Sequence, residues 1–120
     1  MDVQRTFRPD PTRAGEARRF VAEALSGLAF DIDCAQLLAN ELVTNAVRHA
    51  GTDIQVAVSI DGNDLLVSVE DGDARVPEVQ AVAPEVETGR GLFLVARLAQ
   101  AWGIDPTTSG KRVWFRLGVL

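Results

Sequence analysis

Asn40-Glu41-Leu42-Val43-Thr44-Asn45-Ala46-Val47-Arg48-His49-Ala50, then Gly51, then Ile54-Gln55-Val56-Ala57-Val58-Ser59-Ile60, is the stretch in which the hydrophobic period changes from helical to alternating. In the first part, about 100° per residue puts Leu38, Ala39, Leu42, Val43, Ala46 and Ala50 on one arc that calls for burial, with Asn40, Thr44 and Arg48 opposite. Glu41, Asn45 and His49 are spaced by four and advance by about 40° per step along the border between the two faces. The spacing predicts a helix from about Cys34 to Ala50, opened by Asp31 and Asp33 and closed by Gly51 as its C′ glycine. In the second part Ile54, Val56, Val58 and Ile60 alternate with Gln55, Ala57 and Ser59. Asp61-Gly62-Asn63-Asp64 reads as a tight turn and Leu65 to Val69 as the returning strand. A one-sided helix followed by a one-sided hairpin predicts a helix layer on a sheet.

Outward toward the N-terminus, Val3 to Arg8 alternates and predicts a short edge strand, one that a second copy of the chain can pair with. Pro9 and Pro11 stop it, Asp10 or Thr12 can cap a helix, and Pro11 suits its first turn. Ala17, Phe20, Val21, Ala24, Leu25 and Leu28 then share a helical face. Toward the C-terminus, Asp71 to Thr88 shows no period and carries Pro77 and Pro84; an irregular stretch of that length in a compact domain marks a functional lid or mobile loop. Gly89-Arg90-Gly91 precedes a helix with Leu92, Val95, Ala96, Leu98 and Ala99 on its apolar face and Trp102 and Gly103 at its end. Ile104 to Thr107 reads as a short strand, Thr108-Ser109-Gly110 as a turn, and Lys111 to Leu120 as a last strand with Val113, Phe115 and Leu117 on one face. The order β-α-α-β-β-loop-α-β-β predicts an α/β (α+β) two-layer sandwich. Its sheet should be mixed, largely antiparallel, and covered on one face by three helices. Repeated strand-helix-strand crossovers, which a Rossmann fold needs, are absent from that order.

Composition bounds the function. A chain of 120 residues suits one domain, and 47% hydrophobic residues supply its core without a disulfide or structural metal. The single cysteine, Cys34, excludes an internal disulfide, and the reducing cytoplasm is the expected compartment. With 17 acidic against 12 basic side chains and a formal charge of −5, nucleic-acid binding is not the expected task. No apolar run is long enough to span a membrane, and Met1 to Arg5 has no signal-peptide character.

Three segments carry candidate chemistry. The row Glu41, Asn45, His49 is equally an ordinary helix surface or a line of polar ligands, with Asn suited to a hard cation and Glu to polarising a hydroxyl or water. Asp71, at a strand end, can accept a hydrogen bond from an exocyclic amine, although a strand ending in an Asp-Gly turn is commonplace. Gly89-Arg90-Gly91 allows close backbone approach and is followed by the free N–H groups of a helix start, which suits a phosphate site, although helix starts also carry glycine for no functional reason. It matches neither the Walker A pattern nor Gly-x-Gly-x-x-Gly. Cys34 reads as a buried or half-buried helix residue and not a nucleophile, Trp102 and Trp114 as core or sheet packing, and Glu85 and Glu87 as solvated charges. Lys111 reads either as a phosphate contact or as a solvated strand-end lysine.

Taken in order, the helical Glu-x-x-x-Asn, the strand-end Asp, the irregular stretch and the Gly-x-Gly before a helix resemble the Bergerat-type ATP-binding fold of the GHKL superfamily. That superfamily contains histidine-kinase catalytic domains, gyrase-type ATPases and anti-sigma-factor serine kinases. Glu41 to Ala50, Glu87-Thr88-Gly89-Arg90-Gly91-Leu92 and Lys111-Arg112-Val113-Trp114-Phe115 are similar to the small anti-sigma-factor-kinase-like members, and the likeness runs from Phe7 to Leu117. The resemblance implies a single histidine-kinase-like ATPase domain over residues 1–120, with an ATP lid at about 72–90, that binds ATP and Mg2+. It implies Glu41 as general base, Asn45 as magnesium ligand and Asp71 as the adenine contact. Gly89, Arg90 and Gly91 would shape the phosphate end, His49 would border the nucleotide, and Asp73, Val76, Thr88 and Leu92 would complete the nucleotide site.

The implied activity is a serine/threonine kinase that phosphorylates a small antagonist protein and, by partner switching, controls a sigma factor or similar regulator. One departure stands out: the family's Asp-x-Gly-x-Gly reads Asp71-Gly72-Asp73-Ala74-Arg75 here, without either later glycine, while Pro77 is placed as in the small members. That departure motivates a second expectation, a nucleotide-binding interaction module without phosphotransfer. A sensor histidine-kinase catalytic domain ranks third, because no helical hairpin with a phosphoacceptor histidine precedes the domain and the only histidine is His49.

Overall fold

The computed structural model describes residues 1–75 and 90–119, and in it the change of period at Gly51 is where helix gives way to sheet. Helix α2 spans Ile32–Ala50. Asp31 caps it by accepting a hydrogen bond from the Cys34 N–H at 3.0 Å, and Gly51 ends it at φ 67°, a left-handed conformation that only glycine adopts without strain. Of the predicted arc, Leu38, Ala39, Leu42, Val43 and Ala46 are buried, joined by Ala35 in the first turn. Each fully buried leucine there stabilises the fold by roughly 1.5–3 kcal/mol. Strands β2 (Ile54–Asp61) and β3 (Asp64–Asp71) form the hairpin, with Asp61 opposite Asp64 and a positive φ of 61° at Gly62.

The remaining elements are β1 (Asp2–Phe7), a 3-10 turn (Pro11–Arg13), α1 (Ala14–Leu25), α3 (Arg90–Leu98), β4 (Ala101–Pro106) and β5 (Lys111–Gly118). Among the described residues the five strands make one sheet in the order β1-β2-β3-β5-β4. Every pairing is antiparallel, in keeping with the expected largely antiparallel sandwich: β2–β3 and β4–β5 are hairpins, β1 meets β2 across α1 and α2, and β3 meets β5 across α3 and β4. The inward residues of β2, β3 and β5, among them Ile54, Val67 and Phe115, meet the helices in a single core. α2 is the middle helix, packed against both α1 and α3 and against β2, β3 and β5. Phe7 and Phe20, edge to face at 6.3 Å, pin β1 to α1. Asp10 supplies the N-terminal cap, accepting from the Thr12 N–H at 3.0 Å.

Three expectations are corrected. α1 ends at Leu25, and Gly27 at φ 80° turns the chain away, so Leu28 leaves the apolar face and is exposed. α3 ends at Leu98, not at Trp102 and Gly103, because those two pair with Phe115 and Trp114 in the ladder between β4 and β5. Gly103 serves that ladder: a Cβ there would lie 2.7 Å from the Trp114 ring, which crosses the strand at this point on the face without helices. The last strand stops at Gly118, short of Leu120. No helix among the described residues is long and apolar enough to cross a membrane.

Candidate functional site

Asp71 ends β3 on the same side as Leu65, Val67 and Val69, the face turned toward the helices. Its side chain is only 1% exposed. Directly across the ladder stands Lys111, the first residue of β5, with its side chain 5% exposed. The Lys111 Nζ donates to Asp71 Oδ1 at 3.1 Å and to the Asp73 carbonyl at 2.8 Å, and the Asp73 N–H donates to the same Oδ1 at 2.8 Å. The strand end is thus wrapped around a buried ammonium. The expectation of a solvated strand-end lysine does not hold, since the Lys111 side chain is buried. A buried carboxylate needs a partner, and burying the lysine beside it satisfies both charges. The signal was present in the period of two: Lys111 lies on the inward face with Val113, Phe115 and Leu117.

Two glycines let this corner close. The Gly72 N–H donates to Thr52 Oγ1 at 2.9 Å, and a Cβ on Gly110 would sit 2.0 Å from the Asp71 carbonyl oxygen. Gly110 therefore acts as more than a turn residue; it allows the turn between β4 and β5 to press on the backbone of Asp71 and Gly72. Because backbone cannot swing aside as a side chain does, Gly110→Ala is expected to destabilise by about 1–3 kcal/mol. Thermal unfolding checks this, and an unchanged midpoint would show that the corner has slack.

The two positions where the family pattern has glycine, Asp73 and Arg75, pair with each other. The Arg75 N–H and Nε donate to Asp73 Oδ1 at 2.9 and 3.0 Å, and an Arg75 terminal nitrogen reaches Oδ2 at 2.5 Å. The side-chain hydrogen bonds from Arg75, then its backbone N–H, hold the Asp73 carboxyl well below the usual carboxylate range. The folded value is the depressed one, so this contribution is present above the unfolded value of about 3.9 and is lost only as the pH falls well below it. An NMR titration should show no step for Asp73 near pH 4 and a restored step in Arg75→Ala. A step near pH 4 in the unaltered protein would contradict the pairing.

Glu41 and Asn45 lie one turn apart on α2, both half-buried. Thr44, Val47 and Arg48 line a cleft of about 420 Å³ with Pro9, Pro11 and Ala14, on the α1 side of the helix. Glu41 and Asn45 do not line that cleft. His49 falls in the last turn of α2. Arg90 and Gly91 open α3, whose first-turn N–H groups have no intrahelical acceptors and whose positive dipole end lies there. Leu92, expected at the nucleotide, is buried in the core in the first turn of α3. Val76, Thr88 and Gly89, and most of the expected lid, lie outside the described residues. Among the described residues no three His, Cys, Asp or Glu side chains cluster as a metal cage. Cys34 is half-buried, and burial, then the Asp31 charge, pushes its thiol up, against a nucleophilic role.

α2, which carries Glu41 and Asn45, packs against both β3, which ends at Asp71, and α3. Asn45 offers a hard oxygen, Asp71 a buried acceptor and the α3 start free N–H groups. A family model for a histidine kinase-like ATPase domain matches residues 7–117. No curated protein matches the chain.

Proposed function

The chain belongs to the histidine kinase-like ATPase family, and from that premise we propose that it is an ATP-dependent protein serine/threonine kinase of the anti-sigma-factor type. Its substrate is a small antagonist protein, and phosphorylation decides whether the chain holds that antagonist or a sigma factor or similar regulator. The observation that carries this reading is the half-buried pair Glu41 and Asn45, one turn apart on α2. Glu41 accepts the proton of the attacking hydroxyl, and the γ-phosphoryl group passes to that oxygen as ADP leaves. Asp71 accepts from the adenine amine, and the α3 start faces the phosphates. A magnesium ion fits this donor set, because Asn45 offers a hard oxygen and, without a carboxylate cage among the described residues, phosphate oxygens would complete its coordination. When bound it supplies charge neutralisation at the phosphates, which a protein of net charge −5 needs.

A second reading is favoured by the Asp73–Arg75 pair that replaces both glycines: a nucleotide-binding interaction module without transfer. Incubation with γ-labelled ATP, Mg2+ and the small proteins that co-purify with the chain separates the two. Label on a serine or threonine of such a protein supports the kinase. ATP binding with no label transferred overturns it and leaves the module.

A further inference from the structure

We propose that Lys111 is a positioning residue that sets the base preference of the nucleotide site, by fixing the Asp71 carboxylate so that Oδ2 is the oxygen offered to the base. This rests on the ATP reading above and adds a residue to it. Lys111 is the only lysine in the chain; the other basic side chains are all arginine. The one exception is also, among the described residues, the one buried cation, so its placement calls for lysine's own geometry: a compact ammonium with three rotatable donors in place of a planar fork.

Two of those donors are used locally, on Asp71 Oδ1 at 3.1 Å and on the Asp73 carbonyl at 2.8 Å. The second donor to Asp71, the Asp73 N–H at 2.8 Å, also falls on Oδ1. Among the described residues both bonds therefore converge on one oxygen. They lock the carboxylate plane and leave Oδ2, with its lone pairs, as the acceptor on offer. An ionised acceptor fixed in this way takes a 6-amino purine, whose amine donates to it, and repels a 6-oxo purine, whose oxygen also accepts. Without Lys111 the carboxylate loses one of its two anchors and its orientation, and the reason for discrimination goes with them.

The test measures the dissociation constants of ATP and inosine triphosphate, each with Mg2+, for the unaltered chain, Lys111→Met and Lys111→Arg, with thermal unfolding of the unliganded proteins alongside. The unaltered chain is expected to prefer ATP by about tenfold to a hundredfold, the scale of one charge-assisted hydrogen bond. Lys111→Met should bring the two constants within about threefold of each other, on the same scale. If Lys111→Met does not fold, Lys111→Arg decides, because its fork keeps the charge but not the geometry; its preference should fall at least about threefold. A variant whose two affinities drop together, with the preference unchanged, shows a merely structural lysine and overturns the proposal. An unaltered chain that binds ATP and inosine triphosphate equally overturns it as well. Failure of the unaltered chain to bind either nucleotide is a different result, since it overturns the ATP reading itself.

Discussion

Glu41→Ala is expected to lower phosphoryl transfer by about 10²–10⁴-fold, the usual contribution of a general base, while the ATP dissociation constant moves by no more than a few-fold. The separation follows from where Glu41 sits. It is half-buried on the border of α2, one turn before Asn45, and outside the arc of Leu38, Leu42 and Ala46 that holds the helix on the sheet. Alanine is the best helix former, so α2 survives the change. On the kinase reading, what is removed is the carboxylate proposed to take the hydroxyl proton, an interaction made during transfer and not in ground-state binding. Single-turnover transfer from labelled ATP and calorimetry with Mg-ATP read the two quantities separately. A variant that transfers at the unaltered rate removes Glu41 from the chemistry, and one that stops binding ATP assigns it to the ground state.

Lys111→Met is expected to destabilise the unliganded protein by about 3–5 kcal/mol, because it strands a buried carboxylate without its counter-ion. The side chains concerned are 5% and 1% exposed, so solvent offers Asp71 little compensation. The Asp73 carbonyl loses a donor in the same step. The double variant Asp71→Asn with Lys111→Met removes both charges, and replacing such a pair together is often close to neutral. It should therefore recover most of the loss. Denaturant unfolding of the two single variants and the double variant gives the coupling directly. Additive losses would mean that the two groups do not depend on one another, against the 3.1 Å contact between them.

Much of this architecture was legible because local and global signals agreed. Asp31 and Gly51 bracket α2 chemically, and the alternation through Ile54 to Val69 specifies a hairpin that needs no distant information. The family likeness from Phe7 to Leu117 coincides closely with the matched residues 7–117. What escaped the sequence depended on pairing. Ala99 to Gly103 continues an apolar helical pattern, and only the ladder with β5 shows that Trp102 and Gly103 are strand. Leu28 fits the α1 stripe by number, but Gly27 had already turned the chain. Lys111 and Asp71 are 40 residues apart, so their pairing is invisible locally. The inward register of Lys111 with Val113 was the available clue. Asp73 and Arg75 were noticed as missing glycines; that each is the other's partner is a property of the turn.

The most direct test of the central claim, an ATP site built from α2, the end of β3 and the start of α3, is calorimetric titration of the intact chain with ATP. It should be run with Mg2+, with the metal chelated, and with Asp71→Asn. The account predicts one ATP bound per chain, weaker binding on chelation because a protein of net charge −5 must then hold the phosphates unaided, and weaker binding again in Asp71→Asn. No binding of Mg-ATP by the intact chain would contradict it.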